Sequence, residues 1–135
     1  MKKLRFHAAR VSIENITKSG LCEAVYTGPI TAKAFEVLRD EALQIAGNRS
    51  AFVCRFDQAL MVMGDGPLIA ADTYAPDAPA GAIIVRPDQY AICQDYALRA
   101  AKFGVVRTVW VEANARLAYE WALRRSCSRN AESPH

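Results

Sequence analysis

The chain has 135 residues, a formal charge of +3, 52% apolar residues and 23% charged ones. That length suits one domain with its own core, and the apolar fraction excludes a disordered polymer. No apolar run approaches the roughly 20 residues that span a bilayer, and the basic start Met1-Lys2-Lys3-Leu4-Arg5-Phe6-His7 lacks the apolar core of a secretory signal.

Residues 1–10 read as a basic segment ahead of the domain. In 11–18, Val11 and Ile13 alternate with polar residues, as in a half-buried strand. Ser19-Gly20 is a turn signal, and Leu21 to Thr27 alternates again, so the two runs predict a β-hairpin. Gly28-Pro29 ends the second strand. Thr31 is placed to cap a helix over 31–46, with Phe35, Leu38, Ala42 and Ile45 on one face. Residues 51–57 form a short apolar run closed by Asp57 and predict a buried strand.

Residues 58–81 carry no clear period. Gly64-Asp65-Gly66-Pro67 is a turn, Pro76 and Pro79 block regular structure, and a loop of this length in a compact domain is often functional. Residues 82–85 are a purely apolar strand. Pro87 and Asp88 suit the first turn of a helix that reaches Phe103, with Ile92, Tyr96, Ala100 and Phe103 on one stripe. A strand over 105–112 follows, then a last helix capped by Asn114, with Leu117, Ala118, Trp121 and Ala122 inward. Residues 126–135 read as a polar, disordered tail. The order β-β-α-β-β-α-β-α predicts an α/β domain over 11–125. Its sheet would have four or five mostly parallel strands, with an N-terminal hairpin among them and helices packed on it.

The pieces Tyr26-Thr27-Gly28-Pro29-Ile30-Thr31, Ala51 to Asp57, Ala82 to Pro87, and Phe103-Gly104-Val105-Val106 with Ala118-Tyr119-Glu120-Trp121-Ala122 are similar to the STAS superfamily. They resemble in particular its small bacterial branch of sporulation anti-sigma-factor antagonists. The resemblance covers about residues 10–125 and implies a non-catalytic binding or regulatory module of the bacterial cytoplasm. One departure bears on function. Where family members carry a phosphorylatable Ser after the central Asp, this chain reads Gln58-Ala59-Leu60-Met61-Val62-Met63-Gly64, with no hydroxyl to accept phosphate.

Catalytic chemistry finds little support. His7 and His135 are the only histidines, and neither is near a candidate nucleophile in sequence. Cys22, Cys54, Cys93 and Cys127 form no CxxC pair and have no metal-ligand spacing, so no metal and no cofactor is expected. Reduced thiols suit a cytoplasm, with Cys54 and Cys93 in the core. No phosphate-cradling glycine motif is present. Asp57, Arg86 and Asp88 lie at predicted strand ends, where ligands of α/β sheets usually sit. They can pair with each other or form a polar pocket for a small ligand or enzyme substrate. Met61 and Met63 add an adaptable apolar surface. Trp110 and Trp121 read as core before they read as stacking platforms.

The charge is uneven. Residues 1–10 carry four basic residues and no acid, 11–98 carry six basic against eleven acidic, and 99–135 carry seven against three. Nucleic acid binding through Arg99, Lys102, Arg107, Arg116, Arg124 and Arg125 is the third reading and requires one continuous patch. A protein partner, a small ligand and a homodimer through an exposed sheet edge or helix face are the expected associations. A membrane is not among them.

Overall fold

A computed structural model describes residues 2–17, 20–46, 51–61 and 79–132. The elements in chain order are β1 (Lys2–Phe6), β2 (Ala9–Asn15), β3 (Leu21–Ile30), α1 (Ala32–Ala46), β4 (Ala51–Arg55), β5 (Ala59–Met61) and β6 (Ala80–Val85). A 3-10 turn (Pro87–Gln89) leads into α2 (Tyr90–Ala101), and after β7 (Arg107–Val111) a second 3-10 turn (Glu112–Asn114) leads into α3 (Ala115–Glu132).

The seven-stranded sheet has the order β1-β2-β3-β4-β6-β7, with β5 added to the end of β3. β1, β2 and β3 are antiparallel, whereas β3-β4, β4-β6, β6-β7 and β3-β5 are parallel. The predicted hairpin is thus β2-β3, and every later strand joins in parallel, as strands alternating with helices require.

Residues 2–10, expected as a segment ahead of the domain, form β1 and the start of β2. Their charges hide the strand period, because Lys2, Lys3 and Arg5 are exposed on an outer strand while Leu4 and Phe6 are half-buried. The turn between them is made by His7 and Ala8, with His7 in the left-handed region at φ 56°. At the other end α3 continues to Glu132, and Ser126, set at the head of the expected tail, is fully buried. The sheet therefore has two strands beyond the four or five expected, β1 and β5. The irregular region expected over 58–81 holds β5 and the start of β6, and its part over 62–78 lies outside the described residues.

Side-chain alternation divides the core in two. Ile13, Cys22, Ala24, Tyr26, Phe52, Cys54, Ile83 and Val85 face α1 and α2, together with Phe35, Leu38, Cys93 and Tyr96. Leu21, Val53, Ala82 and Ile84 face α3, which meets them with Ala118 and Ala122. The central strands β4 and β6 are buried on both faces, which is why they read as unbroken apolar runs. Thr31 caps α1 as expected: its hydroxyl accepts from Ala34 N–H at 3.1 Å. The outer ends of the predicted stripes are less buried, with Ile45, Phe103 and Leu117 each at least 40% exposed. No described helix is long and apolar enough to cross a membrane.

Gly28 bends β3 at φ 82°, and a Cβ there would run into the Ala8 carbonyl oxygen. Gly104, at φ 76°, follows α2 with open space around it. Gly28→Ala is therefore expected to cost more than about 2 kcal/mol, since clash adds to strain, while Gly104→Ala costs about 1 kcal/mol from strain alone. Urea unfolding of both variants measures the difference.

Candidate functional site

The strand ends bring most of the expected residues together, in an arrangement that the sequence did not show. Arg86 leaves β6 and turns its guanidinium back over the exit of β4. Its Nη1 donates to the carbonyls of Asp57 at 2.7 Å and Ala59 at 3.0 Å. Its Nε and Nη2 grip Asp88 at 3.1 and 3.4 Å, holding that exposed carboxyl below the ordinary carboxylate range. Asp57 meets Arg86 only through its backbone. Its carboxylate pairs with Arg55 at 2.8 and 3.1 Å and is largely buried there.

The residue that sequence reasoning missed is Gln89. Only 2% exposed, it donates from Nε2 to the carbonyls of Phe56 and Ala59 at 2.9 and 3.1 Å. Its Oε1 accepts the Arg86 N–H at 2.8 Å. The last bond is one half of a capping box. The usual cue, Ser or Thr at the N-cap, is absent because Arg86 stands there. Met61 ends β5, and Met63 lies outside the described residues.

On the α3 side, Arg55 extends the network. Tyr119 O–H donates to the Glu23 carboxylate and also bonds with Arg55. Burial and the bond to Glu23 push the Tyr119 hydroxyl up to about 12, against the pull of Arg55. The hydrogen bond to Asp57, with smaller help from Tyr119, holds the Arg55 guanidinium firmly protonated. Glu23, Tyr119, Arg55 and Asp57 thus form one polar chain across β3, β4 and α3, with two carboxylates to one guanidinium.

The opposite side of the sheet holds a cavity of about 40 Å³ between α1, α2 and the strands. Its lining is almost wholly apolar. Tyr26 stacks on Phe56 with centroids 4.6 Å apart, and Phe35 stands against Phe56 at 5.6 Å and Tyr96 at 6.1 Å. Cys22 and Cys54 contribute sulfur, and Arg39 and Arg107 contribute mainly their stems. Both arginines are buried, at 6% and 7% exposure. Arg39 pairs with Asp40 at 2.9 Å. Arg107 donates to Pro79 and Val106 carbonyls at 2.6 and 2.9 Å and lies over the Phe52 ring at 4.7 Å. Burial pushes the Cys54 thiol up to about 12, although Arg107 pulls the other way, and burial alone does the same to Cys93.

Other candidate residues separate. Trp110 and Trp121 are half-buried against the α3-side core, with the Trp110 indole N–H on Thr108 Oγ1 at 2.9 Å. Arg99 lies in the last turn of α2 and Lys102 directly follows it, Arg116, Arg124 and Arg125 belong to α3 on the other face, and Arg107 is buried, so the six basic residues are divided between the two faces of the sheet and its core. Among the described residues no group of His, Cys, Asp and Glu is placed to hold a metal ion.

No protein-family model matches the sequence, and no curated protein matches it. A solved structure does match in fold. It is an uncharacterised protein of the DUF3478 family, with a SpoIIAA-like fold, from Shewanella loihica PV-4. The similarity has a TM-score of 0.52 and 12% identity, covering 90% of this chain and 99% of that one. The chain therefore has a SpoIIAA-like, STAS-like α/β fold, in agreement with the arrangement read from its sequence.

Stability and thiol reactivity test this geometry. Gln89→Leu strands the Arg86 N–H, while the two carbonyls keep their other donors, so a loss of about 1–3 kcal/mol is expected in urea unfolding. Asp88→Ala, at an exposed carboxyl, leaves the midpoint unchanged within error. Cys54 and Cys93 are held as thiols, so a disulfide reagent at pH 8 is expected to label them only after denaturant is added. Peptide mapping by mass spectrometry locates the modified residues. Because the folded Cys54 thiol titrates near 12 rather than 9, its stabilising contribution is complete below pH 9 and is lost as pH rises toward 12.

Proposed function

We propose that this chain is a non-catalytic binding module of regulatory purpose, which takes a narrow apolar molecule into the space between α1 and α2. The observation that carries the reading is the cavity itself. It is an apolar void beside five aromatic rings, in a core where side chains otherwise close-pack. Voids of this kind stay dry and accept apolar guests. At about 40 Å³ the space suits a short alkyl chain rather than a ring system.

The chemistry around the cavity supports binding over turnover. Its thiol Cys54 is protonated, and the thiolate, not the thiol, is the nucleophile. At the strand ends, Arg86, Gln89, Asp88 and the Phe56–Ala59 backbone spend their polar groups on one another, so that region serves to position Phe56 beside the cavity. A regulatory use fits a STAS-like frame in which Asp57 is followed by no hydroxyl: ligand occupancy, in place of phosphate, would alter the α1–α2 face.

Titration with 1-octanol, followed by amide chemical shifts, tests the proposal. Perturbations are expected at Tyr26, Phe35 and Tyr96, with a rise in melting temperature that grows with alcohol concentration. Ala42→Leu fills the space from α1 and is expected to abolish both effects while the fold persists. Shifts scattered over the surface, or unaltered by Ala42→Leu, would remove the reading.

A further inference from the structure

The two edges of the sheet are chemically opposite. β1 exposes Lys2, Lys3 and Arg5, the charged guard by which natural sheets discourage another strand from joining. β7 has no such guard. Thr108, Val109, Trp110 and Val111 are uncharged and half-buried, and its single charged residue, Arg107, is turned into the core. Among the described residues no strand pairs with its outer side.

The ladder fixes which groups face outward. Gly81 N–H donates to the Val106 carbonyl at 3.0 Å, so residues 106, 108 and 110 turn their backbone groups to β6. Arg107, Val109 and Val111 therefore present N–H and C=O groups to the outside. Apolar surface accompanies them: Val106 is 41% exposed, and the helices packed on β7 expose Leu98 at 58% and Leu117 at 44%.

We infer that the occupant of this edge is a second copy of the same chain, paired antiparallel through β7 about a two-fold axis at Val109. In that register Val109 faces Val109, Arg107 faces Val111 and Thr108 faces Trp110 of the other copy. The outward groups then make about six backbone hydrogen bonds, and none of the three residues is left over. Trp110 already lies along the strand on Thr108, so its ring covers the close, non-hydrogen-bonded pair.

Charge favours a second copy joined in this way. Asp95 with Arg99 on α2 and Arg116 with Glu120 on α3 are paired within their own helices, at 3.2 and 3.5 Å, so these four side chains meet a second copy already neutralised. A head-to-tail contact of β7 with β1 would press three cations against an apolar edge. It would also leave an open chain of subunits, whereas the two-fold pairing closes.

Light scattering on the full chain after size exclusion tests this, the expected mass being twice 14.8 kDa. Thr108→Lys restores the missing guard and is expected to raise the dissociation constant at least about tenfold, with the circular dichroism spectrum unchanged. Val109→Cys is expected to cross-link to itself on mild oxidation, and Thr108→Cys, two residues out of register with its own copy, is not. A monomer at all concentrations up to about 100 µM, a mass lowered by Lys3→Glu on β1 instead of Thr108→Lys, or cross-linking through Thr108→Cys alone would overturn the inference. Wild-type protein under the same oxidant controls for the native thiols.

Discussion

Gln89 is the contact on which the arrangement of this domain turns. One buried amide closes the backbone between β4 and β5 and caps the 3-10 turn that leads into α2, tying together segments 33 and 30 residues apart in sequence. Parallel strands have no hairpin to fix their register, so something else must relate the exit of one strand to the crossover after the next. Here Gln89 and Arg86 do so from one turn. They also place Phe56, directly before the clamped turn, against Tyr26 and Phe35, and this builds one wall of the cavity.

The two faces of the sheet solve packing differently. On the α3 side, Ala118 and Ala122 let the helix backbone approach β4 and β6, so small side chains fill the layer. On the other side two helices share a wider surface and meet it through large rings. Rigid rings cannot collapse into every gap, and removing such voids requires flexible or well-matched side chains. The void between α1 and α2 is thus a consequence of Phe35, Tyr26, Phe56 and Tyr96 meeting in a mixture of stacked, tilted and perpendicular contacts.

What was legible from the residues followed from periodicity. Val11, Ile13 and the run from Leu21 alternate, β4 and β6 are unbroken apolar runs, and Thr31 caps a helix with a clear stripe. Each such signal is local. β1 was hidden because an outer strand with Lys2, Lys3 and Arg5 resembles a solvated tail, and its pairing with β2 is a tertiary fact. α3 beyond residue 125 was hidden because Ser126 to Glu132 reads as a polar run with no apolar stripe, although Ser126 itself is buried. At the site, Asp57 and Arg86 were correctly assigned to one edge of the sheet. Their roles were not legible, since Arg86 grips a carbonyl of Asp57 and leaves the carboxylate to Arg55. Gln89 gave no signal, because a buried glutamine is defined by backbone carbonyls that the sequence does not display.

The polar residues also explain why the uneven charge of the sequence does not become a charged surface of one sign. Arg39, Arg55, Arg86, Arg99 and Arg116 each hold a carboxylate within 4 Å, all but Arg55 and Arg86 within the same helix. Exposed pairs of this sort add little stability. Their effect is to quiet the field around these pairs, while β1 keeps Lys2, Lys3 and Arg5 exposed at one outer edge. A domain so arranged has a basic edge that resists strand addition and a neutral edge at β7 that permits it. Its cavity lies under α1, which packs on β1 and β2, and α2, which packs on β7. Association through the neutral edge and occupancy of the cavity then act through different surfaces, so each can change without disturbing the other, except through α2, which packs on β7 and also walls the cavity with Tyr96.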